Sequence, residues 1–306
     1  MTDKPLIDVH GNPLRRRGLL RSGVVGGAAA LLAGATGSAR AALAPPPVND
    51  KDFPDFSLIK INSDDDSLAK IQKKGLVVGT SNDWPYSFLD DKTNEWSGID
   101  AGFISLACKM LNIEKITVQT VTFDGLIPGL LDGRFDIVGD SIHYTKNRSK
   151  VVNFCFPNYY YAEALVVPAG NPHNLHQLAD LKGYTVGTLL GTNYAEWLQG
   201  IPGVKFQGYK DWALIIPELA NGRTDAALYD QPVVAALMKQ HPEWKIEMPS
   251  DYDPHTFKNP VGYSSYAFRQ ADIQWVMAVS SAFQWMEYNG KSKEILTKWG
   301  LSGYNN

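Results

Sequence analysis

From Ser67 onward the apolar positions recur with two alternating periods. "SLAKIQKKG" carries its apolar residues at helical spacing, and "GLVVGTS" is a short continuous apolar run of the kind a buried strand shows. A helix over residues 101–111 and a strand "KITVQTV" follow, which makes a βαβ beginning. Helix "FDGLIPGLLDGR" and strand "FDIVGD" come next, then a polar loop, then the apolar strand "EALVVPAG" at residues 163–170. The pattern then restarts, with "LADLKGYTVGTLLGTNYAEWL" reading strand, turn, helix and "IIPELANGRTDAALYD" reading helix, turn, strand. A restart of this kind predicts a second α/β lobe. The last stretch supplies one strand and two helices, too little for a third domain, so it packs on an existing lobe. The chain therefore crosses between lobes twice, with one lobe over residues 67–165 and 263–306 and the other over 166–262.

The stretch before this pattern differs in kind. "RRRGLLR" precedes a Gly/Ala-rich apolar run and then Ala39-Arg40-Ala41, the layout of an export signal over residues 1–41. Arg16 and Arg17, followed by Leu19, Leu20 and Arg21, resemble a twin-arginine signal, which moves cargo across the membrane already folded. The apolar run is too short and too weakly hydrophobic for a membrane anchor. Cleavage near Ala41 is expected and implies a periplasmic destination. Residues 42–66 hold three consecutive prolines and an acidic run, so they read as a linker or arm.

Charge narrows the classes of partner. A net charge of −3 over 306 residues, with no Lys/Arg cluster beyond the signal, argues against nucleic acid. Scattered histidines and only two cysteines give no metal-ligand spacing. Cys108 and Cys155 each sit in an apolar segment, where a small buried side chain is the commoner state than a bridge.

One internal similarity locates the chemistry. "LLDGRFDIVGD" and "LANGRTDAALYD" share a helix end, a Gly-Arg turn, an acid, an apolar strand and a second acid. Gly133 and Gly222 suit left-handed helix caps, with Arg134 and Arg223 near enough to satisfy carbonyls, so the first acids, Asp136 and Asp225, read as structural. The second acids, Asp140 and Asp230, stand at the carboxyl ends of α/β strands, where ligands collect.

From about Ser67 to the end the chain resembles the solute-binding proteins of polar amino-acid ABC transporters, family 3. The landmarks are "LAKIQKKGLVVGTSNDWPYSF", "WSGIDAGFISLACKML", "VTFDGLIPGLLDGRFDIVGDSIHYTKNRSKVVNFCFPNYY", "LADLKGYTVGTLLGTNYAEWL", "LANGRTDAALYDQP" and "NGKSKEILTKWGL", in that order. The resemblance implies a two-lobed periplasmic binding protein fold of type II, each lobe a mostly parallel sheet flanked by helices. Two hinge strands, near residues 166–169 and 261–264, would join them. It implies a monomeric receptor without cofactor that closes over one small zwitterion and hands it to a membrane permease.

The same resemblance assigns the site. Arg148, after the T-x-x-R element, would clamp the ligand carboxylate, a role suited to a fork-shaped, permanently charged guanidinium. Asp230 would hold the ammonium. Thr192 and Asn193, with the backbone of Gly191, would add donors at a helix N-terminus. Phe123 and either Trp84 or Tyr86 would wall the aliphatic part, and Ser141 would orient the ligand. Asp140 and His143 stand where small residues are usual. Asp140, with Asp83 as a third acid, suits a ligand carrying an extra cation, unless Asp140 turns away to cap a backbone N–H. The pair also admits a second reading, an exported enzyme resembling cyclohexadienyl dehydratase with Asp140 and His143 as acid and base. A ligand-sensing partner for a chemoreceptor would use the same closed form.

Overall fold

The computed structural model describes residues 64–253 and 262–301. The expected signal, most of the arm and residue 261 of the second hinge lie outside the described residues. The first sheet is built from β1 (Leu76–Thr80), β4 (Ile116–Thr120), β5 (Ile137–His143), β6 (Val152–Phe154), β7 (Tyr159–Tyr161) and β13 (Gly262–Arg269), in the order β4-β1-β5-β13-β6 with β7 also on β13. β4, β1 and β5 run parallel, and β13 returns antiparallel beside β5. A small ribbon, β2 (Phe88–Leu89) with β3 (Trp96–Ser97), sits at its rim.

Helices cover both faces because each carries a one-sided apolar stripe. On one face lie α1 (Ser67–Lys74) and α2 (Ile99–Met110), with α7 (Ile273–Tyr288) and α8 (Lys291–Lys298) from the chain's end. They bury Phe103, Ile104, Trp275, Phe283 and Ile295. On the other face α3 (Leu126–Leu131) buries Leu126 and Leu130 against Phe135 and Val138.

The second sheet repeats the arrangement: β10 (Lys205–Tyr209), β9 (Thr185–Leu189) and β11 (Ala226–Asp230) run parallel, with β8 (Glu163–Pro168) antiparallel beside β11 and β12 (Ile246–Glu247) at the edge. Its helices are α4 (Asn193–Gly200), α5 (Trp212–Ala220) and α6 (Gln231–Gln240). Each sheet thus takes one antiparallel strand from the chain's passage between lobes. Because β7 pairs in the first sheet and β8 in the second, the first crossing falls at Ala162. That is earlier than the residues 166–169 expected from the apolar run, since residues 163–168 are themselves a strand of the second lobe. Lobe membership follows pairing partners, which an apolar run does not name.

The internal similarity has a shared structural cause. Asp136 accepts from the Val77 amide (3.1 Å) and Asp225 from the Thr185 amide (2.7 Å), each tying the start of its own strand to the first strand of the lobe. Gly133 and Gly222 sit at φ of 73° and 71°, the left-handed conformation that caps the preceding helix. Arg223 pairs with Glu218 rather than with a carbonyl. Asp136 also holds Lys74 (2.8 Å) and Arg269 (3.2 Å). Cys108 and Cys155 are buried and free. No helix among the described residues is long and apolar enough to cross a membrane.

Asp136→Ala should therefore cost more than Asp225→Ala. The first removes a buried carboxylate that holds the Val77 amide, Lys74 and Arg269, a loss of about 3 kcal/mol. The second loses a half-exposed carboxylate's bond to one amide, about 1–3 kcal/mol. Urea unfolding of both variants checks the order.

Candidate functional site

The stretch "IVGDSIHYTKNR" is less of a loop than its polarity suggests. β5 runs through His143, and all seven of its residues are buried. The pairing of β5 with β13 shifts register between residues 138 and 142, and Ser141 sits at φ of 38°, so the regular alternation of a strand is broken there. That irregularity sorts the expected ligand-binding group.

One narrow cavity between the lobes is lined by Asp83, Phe123, Ser141, His143, Arg148, Tyr161, Thr192, Asn193, Tyr194, Trp212 and Asp230. Seven of the ten expected site residues line it, while Asp140, Trp84 and Tyr86 do not. Asp140 points behind the wall, where its Oδ2 accepts from the Ser81 amide at 2.5 Å. That bond commits Oδ2 to amide capping, Oδ1 is buried without a partner, and the residue is not part of the cavity lining. Trp84 is 39% exposed, since the rim loop carries it outward. Tyr86 is fully buried and stacks on Tyr161 at 4.9 Å, supporting a wall that it does not form.

Two lining residues spend their hydroxyls elsewhere. The Ser141 hydroxyl donates to Asp100 (2.6 Å) and meets the Tyr159 hydroxyl, so it faces the lobe core rather than the cavity. The Thr192 hydroxyl donates to the Leu189 carbonyl (2.7 Å) and accepts from the Ala195 amide (3.1 Å), which makes it the N-cap of α4. Neither is free to donate to a ligand. Motif position had suggested both, but position does not say where a hydroxyl points.

Arg148 opens a short 3-10 turn and is 8% exposed. Its Nη1 donates to the His143 carbonyl (2.7 Å) in its own lobe and its Nη2 to the Gly191 carbonyl (2.8 Å) in the other. Its guanidinium carbon lies 5.7 Å from the centre of the Phe123 ring. No carboxylate pairs with it among the described residues. Burial pulls its affinity for its proton down, partly offset by the charge of Glu196. Asp230 ends β11, 2% exposed, and accepts from the Tyr194 hydroxyl at 2.6 Å. It too has no cationic partner among the described residues, and burial raises it to about 7 against the pull of Tyr194 and Tyr86.

The remaining lining groups set the field. Asp83, 5% exposed, is pushed well above the carboxylate range by burial and then by the charges of Asp140 and Asp230. His143 is held neutral, lowered to about 3 by burial first and by Arg148 second. Its Nε2 is buried without a partner. Trp212 meets Phe123 edge-on at 6.1 Å across the lobes. Tyr161, Tyr194 and Trp212 are wall residues that motif reasoning missed. Tyr194 adjoins Asn193 in "GTNYAEWL" and was within reach of the motif, whereas Tyr161 and Trp212 carried no signal beyond their size.

Where the lobes meet most closely, only glycine fits. Gly191 has φ of 83°, and a Cβ built there would stand 2.7 Å from the Asp124 Cα of the first lobe.

Two α/β lobes, a cation and an acid aimed into one interlobe cavity, and a glycine at their contact agree with what the sequence family predicts. Residues 76–302 match the bacterial extracellular solute-binding proteins, family 3. The chain belongs to this family. It is 28% identical over 244 residues to the L-cystine-binding protein TcyJ of Escherichia coli (strain K12), covering 79% of this chain and 88% of the relative. It is similar in structure to a mutant ArgBP from T. maritima, with a TM-score of 0.69 and 26% identity over 76% of this chain and 98% of that one. It is also similar to the ancestral amino acid-binding protein AncCDT-1, a precursor of cyclohexadienyl dehydratase, with a TM-score of 0.67 and 28% identity over 76% and 98% of the two chains. The fold expected from the resemblance is the fold these comparisons give.

The buried acids reverse the usual pH trend of stability. A carboxyl whose folded value lies above the unfolded ~3.9 keeps a proton that the unfolded chain has released, so its contribution is full below that value and drains away as pH climbs through the folded one. Asp230 and Asp100 both sit at about 7 through burial. The ligand-free protein should therefore lose melting temperature between about pH 4 and 7.5. Asp230→Asn should raise the melting temperature at pH 7.5 and leave it little changed near pH 4, a pair of scans that checks the sign. Gly191→Ala should weaken ligand binding by about tenfold or more, since closure would press a methyl group onto Asp124. Calorimetry with unfolding controls measures it.

Proposed function

We propose that the protein is the extracytoplasmic receptor of an ABC importer and binds an amino acid or amino-acid-like zwitterion by closing its lobes over it. The observation that carries this reading is the pairing, across one cavity, of a buried guanidinium and a buried carboxylate that have, among the described residues, no counter-charge of their own. Each charge is costly alone in a site of low dielectric, and a ligand with an α-carboxylate and an α-ammonium supplies both missing partners at once. Arg148 takes the carboxylate, Asp230 the ammonium, and Phe123, Tyr161, Tyr194 and Trp212 enclose the rest. Asn193, at the N-terminus of α4, adds a donor on the carboxylate side. Relatives named for cystine and amino-acid binding support the ligand class.

The same observation disfavours the enzyme reading. An acid/base pair needs both groups at the substrate, yet Asp140 lies behind the cavity wall on the Ser81 amide. His143 stays neutral, so it is not the second cation that would balance the acids. The twin-arginine signal supports export before ligand capture, and the working unit we propose is a monomer that docks on an inner-membrane permease.

Arg148→Ala should abolish amino-acid binding, a loss of about 2–5 kcal/mol, with the fold retained, and Arg148→Lys should fail nearly as badly. Titration calorimetry with a panel of amino acids tests it, and unchanged affinity in the alanine variant would remove Arg148 from the site. Ligand should also reduce the radius of gyration in small-angle scattering as the lobes close.

A further inference from the structure

The cavity's charges do not balance for a simple zwitterion. Its lining holds two carboxylates, Asp83 and Asp230, against one guanidinium, Arg148, and a neutral imidazole, His143. A ligand with one ammonium and one carboxylate leaves Asp83 either protonated or ionised without a partner. Within a closed, aromatic-walled site an unmet carboxylate is expensive.

Asp83 differs from the other buried acids in being both fixed and unused. Asp100 is held by Ser141, Tyr159 and Tyr266, and Asp140 by Ser81. The Asp83 carboxylate has no hydrogen-bond or ion-pair partner among the described residues, although the residue is only 5% exposed and lines the cavity. Its backbone, by contrast, is pinned. Asp83 and Ser87 exchange amide–carbonyl bonds of 2.8 Å in both directions. The Thr80 hydroxyl reaches the Ser87 carbonyl (2.8 Å), and the Asn82 side chain accepts from the Leu89 amide (2.8 Å). A rigid loop thus presents a bare carboxylate to the interlobe space. His143 lines the same space beside Asn193, and its buried Nε2 is without a partner; as part of a neutral imidazole that nitrogen can accept a hydrogen bond.

We infer that Asp83 is a specificity-determining residue that receives a second cationic nitrogen, so that the preferred ligand is an amino acid with a positively charged side chain. This inference rests on the receptor reading above and deepens it. Such a ligand brings a net single positive charge, which cancels the surplus carboxylate and leaves no charge in the closed cavity without a partner.

The test is titration calorimetry on the full chain at pH 8, where the acids are most ionised, with L-ornithine, L-lysine and L-arginine against L-glutamine and L-alanine. At least one dibasic amino acid should bind about tenfold or more tighter than glutamine. Asp83→Asn should weaken the dibasic ligand and tighten glutamine, two changes of opposite sign that a merely structural role for Asp83 does not produce. Asp83→Ser, with a melting scan of each variant, guards against a misfolded asparagine form. Neutral amino acids binding as tightly as the dibasic ones, or Asp83→Asn weakening both classes alike, would overturn the assignment while leaving the receptor reading in place. If neither class binds, the receptor reading itself falls and this inference with it.

Discussion

A guanidinium buried between two backbone carbonyls, one from each lobe, is the interaction on which the rest of the site depends. Arg148 bridges His143 and Gly191 and so couples the position of the second lobe to the end of β5. Carbonyls carry only partial charge, so they orient the guanidinium without neutralising it. The cation is therefore placed, desolvated and left in need of an anion.

The acids opposite work by the same logic. Burial holds Asp83 and Asp230 above the ordinary carboxylate range, and the charges of Asp140 and Asp230 raise Asp83 further, so the empty site is proton-rich and a bound cation displaces those protons. Stability is given up to create the site, because each acid would be happier in water. The surrounding framework offsets that cost through well-satisfied groups: Asp136 and Asp225 tie strands together in both lobes. Chemically identical side chains thus serve opposite ends according to whether partners surround them.

The lobes also show how one pattern yields a cleft. Each sheet has three parallel strands followed by one antiparallel strand contributed near the crossing. Strand carboxyl ends in both sheets face the same space, which is why β5 and β11 each deliver a site residue there. Gly191 then sets how near the lobes approach, since its missing Cβ is the room in which Asp124 sits.

Much of this was legible in the chain itself. Periodicity gave the alternating helices and strands, the repeated Gly-Arg-acid turn gave the duplicated scaffold, and the family resemblance gave Arg148 and Asp230. The sequence did not reveal side-chain direction within β5, where neighbouring polar residues face opposite ways: His143 lines the cavity while Asp140 is spent on the Ser81 amide. Nor did it reveal that the Ser141 and Thr192 hydroxyls were already engaged, that Tyr161 and Trp212 would arrive as walls, or that the first crossing lies at Ala162. Local sequence determines which groups a segment carries and what period it prefers. Which group meets an empty space depends on pairing and packing with distant segments, as in the contact of Tyr266 with Asp100, 166 residues away, and only the tertiary structure decides that.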